Sequence, residues 1–134
     1  MAIGLGGVSQ LQRRITLVAV SVWFASCSGP CENRVLSEVR APSGNKAAIV
    51  FERSCGATTG FSTHVSVVKE FGELRKSAGN VFAADSDHGA VKDMNVTVRW
   101  VAPNRVVIRY PAKARVFKKE AEANGVAVEY ETAP

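Results

Sequence analysis

The sequence predicts an all-β, mainly antiparallel fold: a small sandwich or partly open barrel of about seven strands, with one short helix allowed near the C-terminus. Three observations carry this. Apolar and polar residues alternate with period 2 along most of the chain after residue 33, and turn signals separate the alternating runs. The part downstream of an N-terminal apolar run is also only about 100 residues long, enough for one domain and one modest core.

The N-terminal segment, 1–27, reads as an export signal. No acidic residue precedes Glu32, the first positive charges are Arg13 and Arg14, and the apolar run Ile15 to Ala25 follows at once. A basic flank, a short apolar core and then small residues is the order of a secretory signal. A bilayer-spanning helix needs about 20 apolar residues, roughly twice this run, although a retained N-terminal anchor stays open as the alternative. Thr16 stands where a twin-arginine signal would place an aromatic, so the arginine pair is read as ordinary flanking charge. The run ends in Phe24-Ala25-Ser26-Cys27, which is similar to a bacterial lipobox, the tetrapeptide whose cysteine is lipidated and becomes the mature N-terminus. Leu is usual at Phe24 and Gly or Ala at Ser26. A plain secretory cut beyond Cys27 is therefore the other outcome. Residues 28–32 then form a short tether, and 33–134 a single domain.

Both routes leave Cys31 and Cys55 as an even pair. In an exported chain such a pair reads as a disulfide, with two unpaired thiols as the alternative. The absence of a Cys-x-x-Cys spacing argues against a zinc site or a thioredoxin-like centre. Loss of Arg13 and Arg14 with the signal lowers the formal charge from +5 to +3. That surplus is too small, and too poorly interleaved with aromatics, for a nucleic-acid-binding surface.

Strands are expected at Val35 to Arg40 and Lys46 to Arg53, flanking the hairpin turn Pro42-Ser43-Gly44-Asn45, and at Thr63 to Lys69 and Val81 to Ala84. Met94, Val96, Val98 and Trp100 share one face of a further strand, opposite Asn95, Thr97 and Arg99. After a turn at Pro103-Asn104 the pattern repeats in Val106, Ile108 and Tyr110, and after Asn124-Gly125 in Val126, Val128 and Tyr130. Ala112 to Ala123 is the segment that could be helical, with Ala114, Phe117 and Ala121 on one side; Val116-Phe117 equally suits a strand. The units Val39 to Phe51 and Val98 to Tyr110 look alike, each a strand, a Pro-containing turn and an apolar strand. They resemble a propeller-blade hairpin, but two copies cannot close a propeller of at least four blades.

The segment Ser54-Cys55-Gly56-Ala57-Thr58-Thr59-Gly60 and the following Phe61 to Val68, taken with Cys31-Glu32-Asn33, the Pro42 to Asn45 turn and Gly79-Asn80-Val81-Phe82, resembles a family of short bacterial exported proteins. These are often lipoprotein-like and have no established activity. The Cys-Gly-Ala-Thr-Thr run is the most specific part of the likeness. It implies an exported single domain and a Cys31 to Cys55 bridge, and it supplies neither substrate nor catalytic residue.

Residue patterns with chemical potential are few. His64 alternates with Ser62 and Ser66, so imidazole and hydroxyls share a strand face, but no acid is placed to orient the ring and no strand-to-helix nucleophile elbow exists. Asp85-Ser86-Asp87-His88-Gly89 opens like a calcium loop, yet Val96 occupies the position that needs a bidentate Glu. Gly56, Thr58, Thr59 and Gly60 form a candidate binding loop, because glycines permit close backbone approach and threonines offer hydroxyls beside a bridged cysteine; the plainer reading is a structural turn. Arg99, Arg105 and Arg109 fall on outward faces and form a candidate cationic stripe for phosphate-bearing lipids or polymers, or simply charge that keeps the sheet soluble. No pattern implies a cofactor or a metal.

The expected function is therefore a non-catalytic binding or structural role in the cell envelope. The protein would be periplasmic or held to the membrane by a lipid on Cys27 or by a retained anchor, with an envelope protein or polymer as partner and no nucleic acid. Inhibition of a cell-wall hydrolase is a concrete subclass, although a net positive domain opposes a cationic enzyme. The alternative from another class is a small periplasmic hydrolase or carbohydrate-active enzyme using His64 with Asp85 or Asp87.

Overall fold

The computed structural model describes Gly4, residues 31–56, 60–69, 74 and 76–134. Nine strands follow one another: β1 (Glu32–Arg40), β2 (Lys46–Ser54), β3 (Phe61–Lys69), β4 (Phe82–Asp85), β5 (Thr97–Ala102), β6 (Arg105–Pro111), β7 (Arg115–Lys119), β8 (Glu122–Ala123) and β9 (Val126–Ala133). They form a five-stranded sheet ordered β1-β2-β3-β4-β7 and a four-stranded sheet ordered β5-β6-β9-β8. The architecture is an open sandwich, not a closed barrel, and no described residue is helical. The helix allowed at 112–123 does not form; β7 and β8 occupy the segment, as the strand alternative at Val116-Phe117 has it. Val116 turns inward against the core while Arg115, Phe117 and Lys119 stay exposed, which is strand alternation.

All strand pairs are antiparallel except β6 and β9. Their parallel pairing follows from the path: after β6 the chain crosses to the first sheet as β7, then returns through β8 to lie beside β6. The return depends on the Asn124-Gly125 turn, where φ is 52° and 74°. Two consecutive left-handed residues make the two-residue hairpin that matches strand twist.

The core lies between the sheets. Ala48, Val50, Val65, Val67, Val81, Phe82 and Ala84 meet Val96, Val106, Ile108, Tyr110, Val126 and Val128. Phe82, Tyr110 and Tyr130 cluster at ring separations of 5.0–6.4 Å. Alternation places the predicted faces correctly in β6 and β9. Along β5 and the residues just before it this holds with a difference: Met94, which precedes the strand, and Val98 and Trp100 within it are half-buried and pack against the core instead of filling its centre. Trp100 compensates by donating its indole N–H to the Val39 carbonyl at 2.8 Å, which ties β5 to β1 across the two sheets.

The strands β2 and β3 are buried on both faces. Beside the inward valines, Ala47, Ile49, Phe51, His64 and Ser66 on the outer face are also buried. By contrast β1, an edge strand, is largely exposed. It carries Glu32, Arg34, Glu38 and Arg40, and a bulge between Val35 and Ser37, features that discourage edge-to-edge pairing.

Candidate functional site

The register Glu32↔Ser54 places Cys31 and Cys55 opposite each other at the open end of the β1–β2 hairpin. They are bonded, with Cα atoms 4.0 Å apart, slightly below the usual lower limit of about 4.4 Å. Polar groups gather beside this bridge on the outer face of the first sheet. Arg53 donates to Asn33 Oδ1 at 2.8 Å and to the Lys76 carbonyl at 3.1 Å, and Asn33 donates to the Ser77 carbonyl at 2.9 Å. The disulfide end of the hairpin and the 76–80 segment are thereby held together.

That segment continues along β3 in close contact. Gly79 N–H donates to His64 Nδ1 at 3.0 Å, and Asn80 N–H donates to Ser66 Oγ at 3.1 Å. The Asn80 side chain imitates a strand residue, accepting from Val67 N–H and donating to Val67 O, both at 2.8 Å. Gly79 is required by space: a Cβ there would lie 2.6 Å from the carbonyl oxygens of Phe82 and Val65 and 3.0 Å from His64 Cβ. Lys118 closes the arrangement by donating to the Gly79 carbonyl at 3.0 Å.

The His64 environment decides its chemistry. Its ring stacks on Phe51 with centroids 5.4 Å apart. Burial, reinforced by the positive charges of Arg53 and Lys118, holds the imidazole pKa down at about 4, so the ring is neutral at physiological pH. An Nδ1 that accepts the Gly79 N–H carries no proton, and the proton of the neutral ring is then on Nε2. The 2.8 Å contact between Nε2 and Ser62 Oγ therefore runs with the imidazole as donor. A base that activates Ser62 would need the opposite tautomer.

Asp85 and Asp87 do not join this cluster. Asp85 pairs with Arg115, whose guanidinium spans both carboxylate oxygens and pushes the carboxyl below its ordinary range. Asp85 Oδ1 also accepts the Asp87 N–H at 2.8 Å, and His88 Nε2 lies 3.3 Å from Arg115. Asp87 and His88 adopt left-handed φ of 48° and 56° in a closed turn. Among the described residues no group of three or more His, Cys, Asp or Glu side chains is arranged to hold a metal ion.

Of the loop Gly56, Thr58, Thr59 and Gly60, the two glycines are described, with φ of 121° and 64°, and the threonines lie outside the described residues. Phe61, the first residue after the loop, is 66% exposed. Cys27 also lies outside the described residues.

Arg99, Arg105 and Arg109 project from the outer face of the second sheet, as the alternation requires, but glutamates from β9 interleave with them. Arg105 reaches Glu129 at 3.7 Å and Arg99 reaches Glu131 at 3.4 Å. Val107, which sits opposite Arg99 and Glu129 on this face, is 4% exposed although it points outward. The stripe is thus a mixed ionic lattice over its β5 end. The glutamates were invisible to a strand-by-strand reading because β9 is remote in sequence and its parallel pairing with β6 has no local signal. The Asn33–Arg53 link and the Gly79 approach were likewise missed, with Gly79-Asn80 the one local hint.

No helix among the described residues is long and apolar enough to cross a membrane. Compared with known proteins, the chain matches no family model, no curated protein and no solved structure.

Proposed function

We propose that the chain is an exported envelope protein, anchored by lipid at Cys27 or released by a nearby cut, whose disulfide-bridged β domain has a non-catalytic binding or structural role. The Cys31–Cys55 bond carries this reading. Disulfides persist in oxidising compartments, and this one follows closely on a basic, apolar and small-residue segment that ends in Cys27. The exposed Phe61 beside Cys55, with Gly56 and Gly60 flanking the loop, supports a contact surface at the bridged end of the domain. The partner is an envelope protein or polymer. An acidic hydrolase to be inhibited fits the net positive charge better than a basic one.

The test is cell fractionation with labelled fatty acid, wild type against Cys27→Ala. Label in the wild type alone establishes lipid anchoring, and unlabelled periplasmic protein in both establishes secretion. Cytoplasmic protein with freely alkylated Cys31 and Cys55 overturns the reading. The hydrolase alternative rests on the Ser62–His64 contact and requires Ser62→Ala to abolish a measurable turnover.

A further inference from the structure

We infer that a cleft at the β6–β7 end of the second sheet is a binding site for a phosphate-bearing ligand, held by Arg109, Lys92 and Lys113. The cleft, of ≈ 510 Å³, is lined by these three cations together with Asp93, Asn95, Thr97 and Pro134. This assignment is independent of export and of the Cys27 tether.

The sheet register explains why Arg109 is available. Arg105 sits opposite Ala127 and takes the carboxylate two residues on, Glu129. Arg109 sits opposite Glu131, but that carboxylate is taken by Arg99, and two residues on stands Ala133. Arg109 is left without an ion-pair partner among the described residues, as are Lys92 and Lys113. Asp93, which also lines the cleft, makes no ion pair with these cations.

The walls are held by the backbone. Arg109 is on β6, a strand paired on both sides. Lys113 stands in a turn fixed by Ala112 N–H to Ala133 O at 2.8 Å and Ala114 N–H to Pro111 O at 3.0 Å. Lys92 and Asp93 follow a loop closed by Val91 N–H to Ser86 O at 3.0 Å and Ala90 N–H to Asp87 O at 3.1 Å. One planar guanidinium and two ammonium groups match the oxygens of a phosphate, the guanidinium supplying bidentate geometry and the lysines charge. Asn95, Thr97 and Asp93 offer donors and acceptors for hydroxyls carried on the phosphorylated group.

Titration of the isotopically labelled full chain with glycerol 3-phosphate at fixed ionic strength, followed by amide shifts, tests this. Saturable shifts confined to 91–97 and 109–113 are expected, with at least tenfold weaker binding in Arg109→Ala and Lys113→Gln and less than a twofold change in Arg34→Ala, whose arginine pairs with Glu52 on the other sheet. Flotation with phosphatidylglycerol vesicles separates the sources. Vesicle binding lost in Arg109→Ala, without a response to glycerol 3-phosphate, assigns the phosphate to a lipid headgroup, whereas a response to glycerol 3-phosphate assigns it to a soluble ligand. Equal weakening by Arg34→Ala and Arg109→Ala, or no saturable binding to either probe, overturns the site.

Discussion

Replacing Gly79 by alanine tests the central claim that the 76–80 segment is held against β3 by space and not by chain conformation. The added Cβ would sit 2.6 Å from two backbone carbonyl oxygens, those of Phe82 and Val65, so each would have to recede by about 0.8 Å to reach ordinary contact at 3.4 Å. Neither is a flexible side-chain end. Val65 O accepts the Val81 N–H at 3.2 Å, and Phe82 is at the centre of the core. Overpacking of this kind costs about 1–3 kcal/mol. Loss of the Gly79 N–H bond to His64 adds about 1 kcal/mol. Gly79→Ala should therefore destabilise the domain by about 2–4 kcal/mol in urea melts, a fall in Tm on the order of 10–25 °C for a domain of this size. Gly44→Ala is the control: φ is 75° but nothing lies within 4 Å of its Cβ, so only the left-handed backbone penalty of about 1–2 kcal/mol applies. A Gly79→Ala change under about 1 kcal/mol, or one smaller than that of Gly44→Ala, would refute the close approach.

Further outcomes follow from the same contacts. Opening the bridge by Cys31→Ser should cost about 3.5 kcal/mol from the loop it closes, measured by urea melts of reduced and oxidised protein; equal melts would remove the bridge from the stability argument. Trp100→Ala should cost about 3 kcal/mol, lower than for a central tryptophan because the ring sits at the rim, whereas Arg99→Ala should stay within about ±0.5 kcal/mol since its ion pair is exposed. The His64 pKa, about 4 in the folded state against 6.5 unfolded, means that the unfolded chain takes up the proton first. Stability is then complete above pH 6.5 and declines as pH falls towards 4, by about 1–2 kcal/mol after solvent screening; the slope should flatten in His64→Gln.

What was legible in the sequence was whatever is local. Period-2 alternation gave the strands from β1 to β6 and β9, and Pro42 to Asn45 and Asn124-Gly125 gave their turns, because a turn's dihedrals are set by its own residues. The 112–123 segment left helix and strand both open because alanine favours helix locally, and the strand won where the sheet edge offered backbone partners: Asp85 to Arg115 and Phe82 to Lys119. Tertiary pairing overrode propensity there. The double burial of β2 and β3 was illegible for a related reason. Ile49 and Phe51 lie on the same face as His64 and Ser66, a mixed face that reads as half-exposed unless the covering segment is known. The arginine stripe was visible but its neutralisation was not, since Glu129 and Glu131 reach it only through the parallel pairing.

The two outer faces now differ in how much a ligand would have to displace. On the first sheet every buried side-chain nitrogen and oxygen among the described residues already has a partner. His64, Ser62, Asn80 and Arg53 are committed to one another and to backbone groups. A ligand entering there would break bonds before making any, and each buried group left unmatched costs about 1–3 kcal/mol. The cleft on the second sheet has the opposite balance. Arg109, Lys92 and Lys113 are not engaged by carboxylates, and the strand that carries Arg109 and the turns beside the two lysines are already ordered by backbone hydrogen bonds. An anion there gains charge-assisted bonds while displacing only water, so the conspicuous histidine cluster acts as a fastener of the fold and the plainer cleft is the better binding site.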